Sequence, residues 1–280
     1  MSRLALAAAL ALAACAVYAE GWIARIRAAA APYEEIVPVE VRPGVAEPVL
    51  LSMASASERP KRVLLLFPGG DGVMKIQHKP GGLWFKLLGN YLIRTRAQFV
   101  DAEDAAVSVD MPSDEYCCGS DRFRLGEQHA ADVGKIIDTL AARFPGAEFY
   151  LVGTSKGTVS AAALGARLGT KVAGVVLTST VTQEARDGGV GLSRFDFGTL
   201  KVPVLFVHQK FDGCYVTPYY AVEKISKAYH FPLITVTGSE GAHGPDCQAF
   251  SYHGYAGREK QVAAAVMKWV KTRAVAPTIE

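Results

Sequence analysis

The stretch Phe149-Tyr150-Leu151-Val152-Gly153-Thr154-Ser155-Lys156-Gly157 constrains this chain more than any other. An apolar β-type run ends in Gly-x-Ser-x-Gly, and a small-residue helical pattern follows through Ala161, Ala162, Ala163 and Leu164. A serine at so tight a strand-to-helix turn sits in a strained backbone conformation, with its hydroxyl projecting above the sheet. A Cβ at Gly153 or Gly157 would collide with the neighbouring strand or helix. The helix that follows offers unpaired N–H groups and a positive dipole end to a developing oxyanion. In this context Ser155 reads as a nucleophile.

The rest of the chain supplies what such a turn needs. Arg62 to Phe67 is a continuous apolar run, as expected of a strand buried on both faces. It ends in Pro68-Gly69-Gly70-Asp71-Gly72, where glycines let the backbone bend close to a reacting group. Acyl transfer needs two donors aimed at one oxygen, and the N–H groups of Gly70 and Lys156 are the expected oxyanion pair. The Lys156 side chain is expected to point to solvent.

Further runs fix the layering. Val37 to Arg42 and Pro48 to Met53 suggest an antiparallel hairpin around Pro43-Gly44. Leu83 to Phe99 has helical periodicity, with Leu83, Leu87, Leu88 and Tyr91 on one face. Ala105 to Met111 reads as a strand. Gly126 to Phe144 reads as a helix closed by Pro145-Gly146, with His129 as a surface or boundary residue. Strands at Val172 to Leu177, Val202 to Val207 and Leu233 to Val236 follow. Helices are expected at Pro218 to Tyr229 and Arg258 to Thr272, the latter with Val262, Ala265, Val266 and Trp269 inward. Strands alternating with helices imply an α/β fold, a mostly parallel central sheet flanked by helices. Active residues in such sheets gather beyond the carboxyl ends of the strands.

Of the 280 residues, 50% are hydrophobic, enough for a single sizeable core. The net charge of +3 is small and its Lys and Arg are scattered, so nucleic-acid binding has no footprint. The division expected is a leader over 1–19, a linker over 20–35 and one domain over 36–274. In the leader, Ser2-Arg3 precedes an Ala/Leu stretch suited to an export signal. Val17-Tyr18-Ala19 fits ordinary signal-peptidase cleavage, whereas Leu12-Ala13-Ala14-Cys15 resembles a lipobox and would anchor the chain to a membrane through lipidated Cys15. Both readings imply a periplasmic or secreted protein. Besides Cys15 the cysteines are Cys117, Cys118, Cys214 and Cys247, none at metal-ligand spacing, so no metal is expected and disulfides are.

Taken in order, a serine after one strand, an acid after a later strand and a histidine after the last strand resemble the α/β-hydrolase superfamily. The resemblance covers about Val37 to Arg273. It makes Asp212 the acid, because Val207-His208-Gln209-Lys210-Phe211-Asp212 looks like that superfamily's acid loop, whereas Asp187 and Asp196 follow no strand directly. His253 and His243 both lie between the last strand and the last helix. His253 is favoured because it stands closer to that helix. Phe67-Pro68-Gly69 departs from the superfamily's frequent His-Gly. The connection from Val181 to Lys201 is too short for a large cap domain. In this fold the loops carrying Cys214 and Cys247 leave neighbouring strands, which implies a Cys214–Cys247 disulfide, with Cys117 and Cys118 as free thiols or a vicinal pair. The resemblance implies an exported serine hydrolase acting on a small-molecule carboxylic ester, with no cofactor and no protein partner. A peptidase or acyltransferase on the same triad, or a non-catalytic envelope binding protein on this scaffold, is the alternative.

Overall fold

The computed structural model describes residues 29–117 and 119–280, so the leader with Cys15, and Cys118, lie outside the described residues. The strands in chain order are β1 (Tyr33–Val37), β2 (Glu40–Arg42), β3 (Val45–Ala46), β4 (Val49–Met53), β5 (Arg62–Phe67), β6 (Gln77–Lys79), β7 (Gly82–Trp84), β8 (Asp104–Val109), β9 (Glu148–Thr154), β10 (Gly174–Thr178), β11 (Val204–Gln209), β12 (Leu233–Val236) and β13 (Thr278–Ile279). The helices are α1 (Tyr91–Arg94), α2 (Asp121–Arg124), α3 (Glu127–Arg143), α4 (Gly157–Leu168), α5 (Tyr219–Tyr229) and α6 (Glu259–Thr272).

Nine strands form the main sheet in the order β1-β4-β8-β5-β9-β10-β11-β12-β13. The β1–β4 and β4–β8 pairs are antiparallel, and every later pair is parallel. The continuous apolar runs follow from this placement. In the central strands β5 and β9, successive side chains enter different cores. Val63, Leu65, Phe149 and Leu151 meet Val133, Ile136 and Leu140 of α3 and Val159 of α4. Leu64, Leu66, Tyr150 and Val152 meet Tyr91 of α1 and Val262, Val266 and Trp269 of α6. Both faces are dry, so alternation with polar residues is absent. Each fully buried Leu or Val contributes roughly 1.5–3 kcal/mol relative to exposure.

Helix α4 is rich in small residues because it lies close to the sheet. A Cβ on Gly165 would come within 2.5 Å of Val175 on β10. Helix α3 ends where expected, at Phe144 and Pro145, with Gly146 at φ +81°.

Three local expectations are corrected. The Pro43-Gly44 turn joins only the short ribbon β2–β3, and the partner of β4 is β1, which starts upstream at Tyr33. The helix over Leu83 to Phe99 is confined to α1, followed by a 3-10 turn at Arg96–Phe99. Gly81 and Gly82, at φ +97° and +119°, turn the chain so that Leu83 and Trp84 pair with His78 and Gln77. Leu83, Leu87 and Leu88 instead pack on a small separate cluster of Leu50, Met74, Ile76, Phe85 and Ile93, which explains their apolar spacing. On α6, Val262, Ala265, Val266 and Trp269 face the core as expected, joined by Ala263, Met267 and Val270. Finally β12 is not the last strand, since β13 pairs parallel with it. The sheet therefore runs from Tyr33 to Ile279. The connection from β10 to β11 holds only a 3-10 turn at Phe197–Thr199, and no large cap domain is evident among the described residues.

Candidate active site

Ser155 sits between the end of β9 and the start of α4 at φ +51°, a conformation that L-residues with a side chain rarely adopt. The turn is held by its neighbours. Ser155 N–H donates to the Thr178 carbonyl at 3.0 Å, and the Ser155 carbonyl accepts from Thr158 N–H at 2.9 Å and from its hydroxyl at 2.6 Å. A Cβ on Gly157 would run into the Phe67 carbonyl, and one on Gly153 into the Gly157 carbonyl. The glycines thus let three backbone segments touch beneath the serine.

The loop after β5 closes over the same point. A Cβ on Gly69 would lie 2.8 Å from Ser155 Cβ, so that loop's backbone is in contact with the serine side chain. Gly70 follows at φ +66°. The loop is fastened by Asp110 at the end of β8. Its Oδ1 accepts from Met74 and Met111 N–H, and its Oδ2 accepts from Ile76 N–H and the Tyr116 hydroxyl, at 2.7–3.0 Å. Lys156 is the cap residue directly before α4. Its side chain does not run free into solvent, because Nζ lies 3.7 Å from Asp121 Oδ1.

Asp212 and His253 meet beyond β11 and β12. Asp212 Oδ2 is 2.9 Å from His253 Nδ1 and accepts from the Thr217 hydroxyl at 2.9 Å, while Oδ1 accepts from Cys214 N–H at 2.9 Å. His253 is 5% exposed, and its Nε2 has no hydrogen-bond partner among the described residues. The main chain of His253 is pinned as well, its carbonyl accepting from the Ser179 hydroxyl at 2.7 Å. Tyr255 donates to the Val207 carbonyl at 2.7 Å and accepts from Ser179 N–H at 2.9 Å.

A groove of about 460 Å³ is lined by Ser155 and His253 together with Gly70, Leu87, Asn90 and Phe250. His243 also borders it, but stands elsewhere chemically. Its Nδ1 bonds the Gly241 carbonyl at 2.7 Å and its ring stacks on Phe250. Asp196 caps the 3-10 turn at Gly198, and Asp187 bonds Gly189 N–H, so neither reaches the groove. A separate cavity of about 530 Å³ between α4 and the 190–199 loop is lined by Asp196 but by none of Ser155, Asp212, His243 and His253.

Cys214 and Cys247 are joined in a disulfide, Cα to Cα 4.6 Å, linking the loop that carries Asp212 to the one that carries both histidines. Cys117 is disulfide-bonded too, which removes the free-thiol reading for it. Among the described residues no group of three His, Cys, Asp or Glu is gathered to hold a metal, and no helix is long and apolar enough to cross a membrane.

Two histidines differ from or add to the expectation. His129 is buried, not at the surface, between the rings of Phe67 and Phe123. Burial, with a smaller contribution from the Arg124 charge, pulls it down to about 3. His208, unremarked in the sequence, lies 3.9 Å from Asp212 Oδ2. Burial lowers its pKa, which keeps it neutral, and its Nε2 bonds the Thr217 carbonyl at 2.8 Å.

No family model and no curated protein sequence matches the chain. Solved structures do. Est1E from Butyrivibrio proteoclasticus superposes at a TM-score of 0.59 with 16% identity, over 84% of this chain and 97% of that one. XC6422 from Xanthomonas campestris, described as an α/β serine hydrolase without lid, gives 0.58 and 14% over 88% and 97%. An acylaminoacyl peptidase from Pyrococcus horikoshii gives 0.56 and 13%, over 85% of this chain and 41% of that one. The chain has the α/β-hydrolase fold.

Proposed function

We propose that the chain is a serine hydrolase that cleaves carboxylic esters through an acyl-enzyme. One observation carries the reading. The buried His253 is held by Asp212 at Nδ1, its Nε2 is unpartnered, and it shares one groove with a serine in the left-handed conformation. Nε2 would take the proton of Ser155 Oγ as Oγ bonds to the ester carbonyl carbon, and the imidazolium would be stabilised by Asp212. The carbonyl oxygen would gain negative charge against the N–H groups of Gly70 and Lys156. Collapse would break the C–O bond to the alcohol, which leaves with the proton from Nε2. Water would then repeat the sequence on the acyl-enzyme, restoring Ser155 and releasing the acid. The resemblance to the α/β serine hydrolase XC6422 supports the reaction class. The Cys214–Cys247 bridge supports a periplasmic or secreted location, since disulfides persist in oxidising compartments.

The test is a turnover screen of the leaderless protein on p-nitrophenyl esters of graded acyl length, with fluorophosphonate labelling and peptide mapping. Turnover together with a label on Ser155 is expected. An unlabelled, inactive folded protein would leave a binding protein on this scaffold. Activity on aminoacyl p-nitroanilides alone would make it a peptidase.

A further inference from the structure

The two proposed oxyanion donors come from separate segments, Gly70 from the loop after β5 and Lys156 from the start of α4. Both N–H groups reach one oxygen only if those segments keep their relative position closely, because displacements near 1 Å cost catalysis heavily. Arg124, at the end of α2, bonds to both segments. Its Nη2 donates to the carbonyls of Asp71 at 2.9 Å and Gly70 at 3.4 Å. Nη1 donates to the hydroxyl of Ser160 at 2.9 Å, about one turn into the nucleophile's helix. Nε donates to the Gly119 carbonyl at 3.1 Å.

The surroundings are built around this guanidinium. Arg124 is 1% exposed. A Cβ on Gly72 would come within 2.5 Å of Nη2, and one on Gly119 would run into the Asp71 carbonyl. Among the described residues no carboxylate reaches ion-pair distance of it; Asp121, Asp71 and Glu115 act only as more distant charges. Burial pulls its pKa down to about 10, which leaves it charged at neutral pH. A buried cation without a paired anion is costly, and simple filling of space would be served better by an apolar side chain. What the guanidinium adds is a rigid fork of donors that can hold several acceptors at fixed angles, which an ammonium cannot.

We propose that Arg124 is a positioning residue for the oxyanion hole: its fork ties the Gly70 and Asp71 carbonyls to Ser160 on α4, and so sets the Gly70 N–H in register with the Lys156 N–H. The inference rests on the acyl-transfer reading above.

The experiment compares wild type, Arg124→Lys and Ser160→Ala for kcat and KM on a p-nitrophenyl ester. It adds the inhibition constant of a trifluoromethyl ketone, which forms the oxyanion adduct, and thermal unfolding. Arg124→Lys should lower kcat about 10²-fold with KM within about twofold, and weaken the ketone by a similar factor. Ser160→Ala should shift kcat and ketone binding together by about tenfold. Fluorophosphonate labelling of the wild type separates the two levels of inference. A wild type not labelled at Ser155 overturns the reaction reading and this inference with it. A labelled wild type beside a folded Arg124→Lys protein of equal kcat, or one altered in KM alone, overturns this inference only. If Arg124→Lys does not fold, Ser160→Ala decides, and unchanged kcat and ketone binding there overturn the inference.

Discussion

Nδ1 of His253 lies 2.9 Å from Oδ2 of Asp212 across 41 residues of chain. In the proposed reaction the carboxylate accepts from Nδ1–H and Nε2 is bare, the tautomer a general base requires. Asp212→Asn keeps the shape and loses that preference. We expect kcat to fall on the order of 10³-fold or more with little change in KM, read from steady-state kinetics on a short ester. Wild-type kcat in the folded variant would remove Asp212 from the mechanism.

Ser155→Ala should abolish fluorophosphonate labelling and ester turnover while the melting temperature holds. In the proposed reaction the hydroxyl is the attacking atom, whereas the φ of +51° belongs to the turn's backbone. Undiminished labelling would put the nucleophile elsewhere.

His253→Ala should cost on the order of 10³-fold or more in kcat. His243→Ala should cost far less, because its imidazole bonds the Gly241 carbonyl and stacks on Phe250 at the groove's edge. The reverse ranking would move the base to His243.

Replacing Cys214 and Cys247 together by Ser should destabilise the fold by roughly 2–4 kcal/mol, since the bridge closes a loop with a sequence separation of 33. Denaturant titration of both proteins measures it. Non-reducing peptide mapping should recover the two cysteines as one linked peptide pair.

His129 gives a pH signature. Native His129 is held near 3, whereas the unfolded imidazole protonates around 6.5. Below 6.5 the unfolded chain binds a proton that the native one refuses, so stability falls as pH drops from about 6.5 towards 3. The slope from this one group approaches about 1.4 kcal/mol per pH unit. His129→Phe, set among Phe67 and Phe123, should flatten that part of the stability curve. An unchanged slope would mean that His129 already titrates normally in the native state.

Strand and helix periodicity made β5, β9, α3 and α6 legible to within about two residues. Gly-x-Ser-x-Gly, in its strand–helix setting, pointed to the turn at Ser155. The leucines of Leu83 to Phe99 mimic a helix face because they serve a small local cluster, and Gly81-Gly82 turns the chain into a hairpin just before it. For His129 the signal was present: it stands four residues before Val133 and seven before Ile136, on the inward face of α3. Arg124, Asp110 and His208 had no such signal. Each is a single polar residue whose partners are tens of residues away or lie in loops, and no periodicity records such contacts.

The disulfide also alters distance along the molecule. By the peptide chain Asp212 and His253 are 41 residues apart. By way of the sulfurs the path is two residues from Asp212 to Cys214 and six from Cys247 to His253. Oxidation thus converts a remote pairing into a nearly local one. A chain that forms the bridge early carries Asp212 and His253 on two short arms that flank the bridge, before β12 and α6 have docked. A reduced chain must close the full loop entropically to bring them together. The order in which bridge and sheet form should therefore set how fast the acid–base pair appears on refolding.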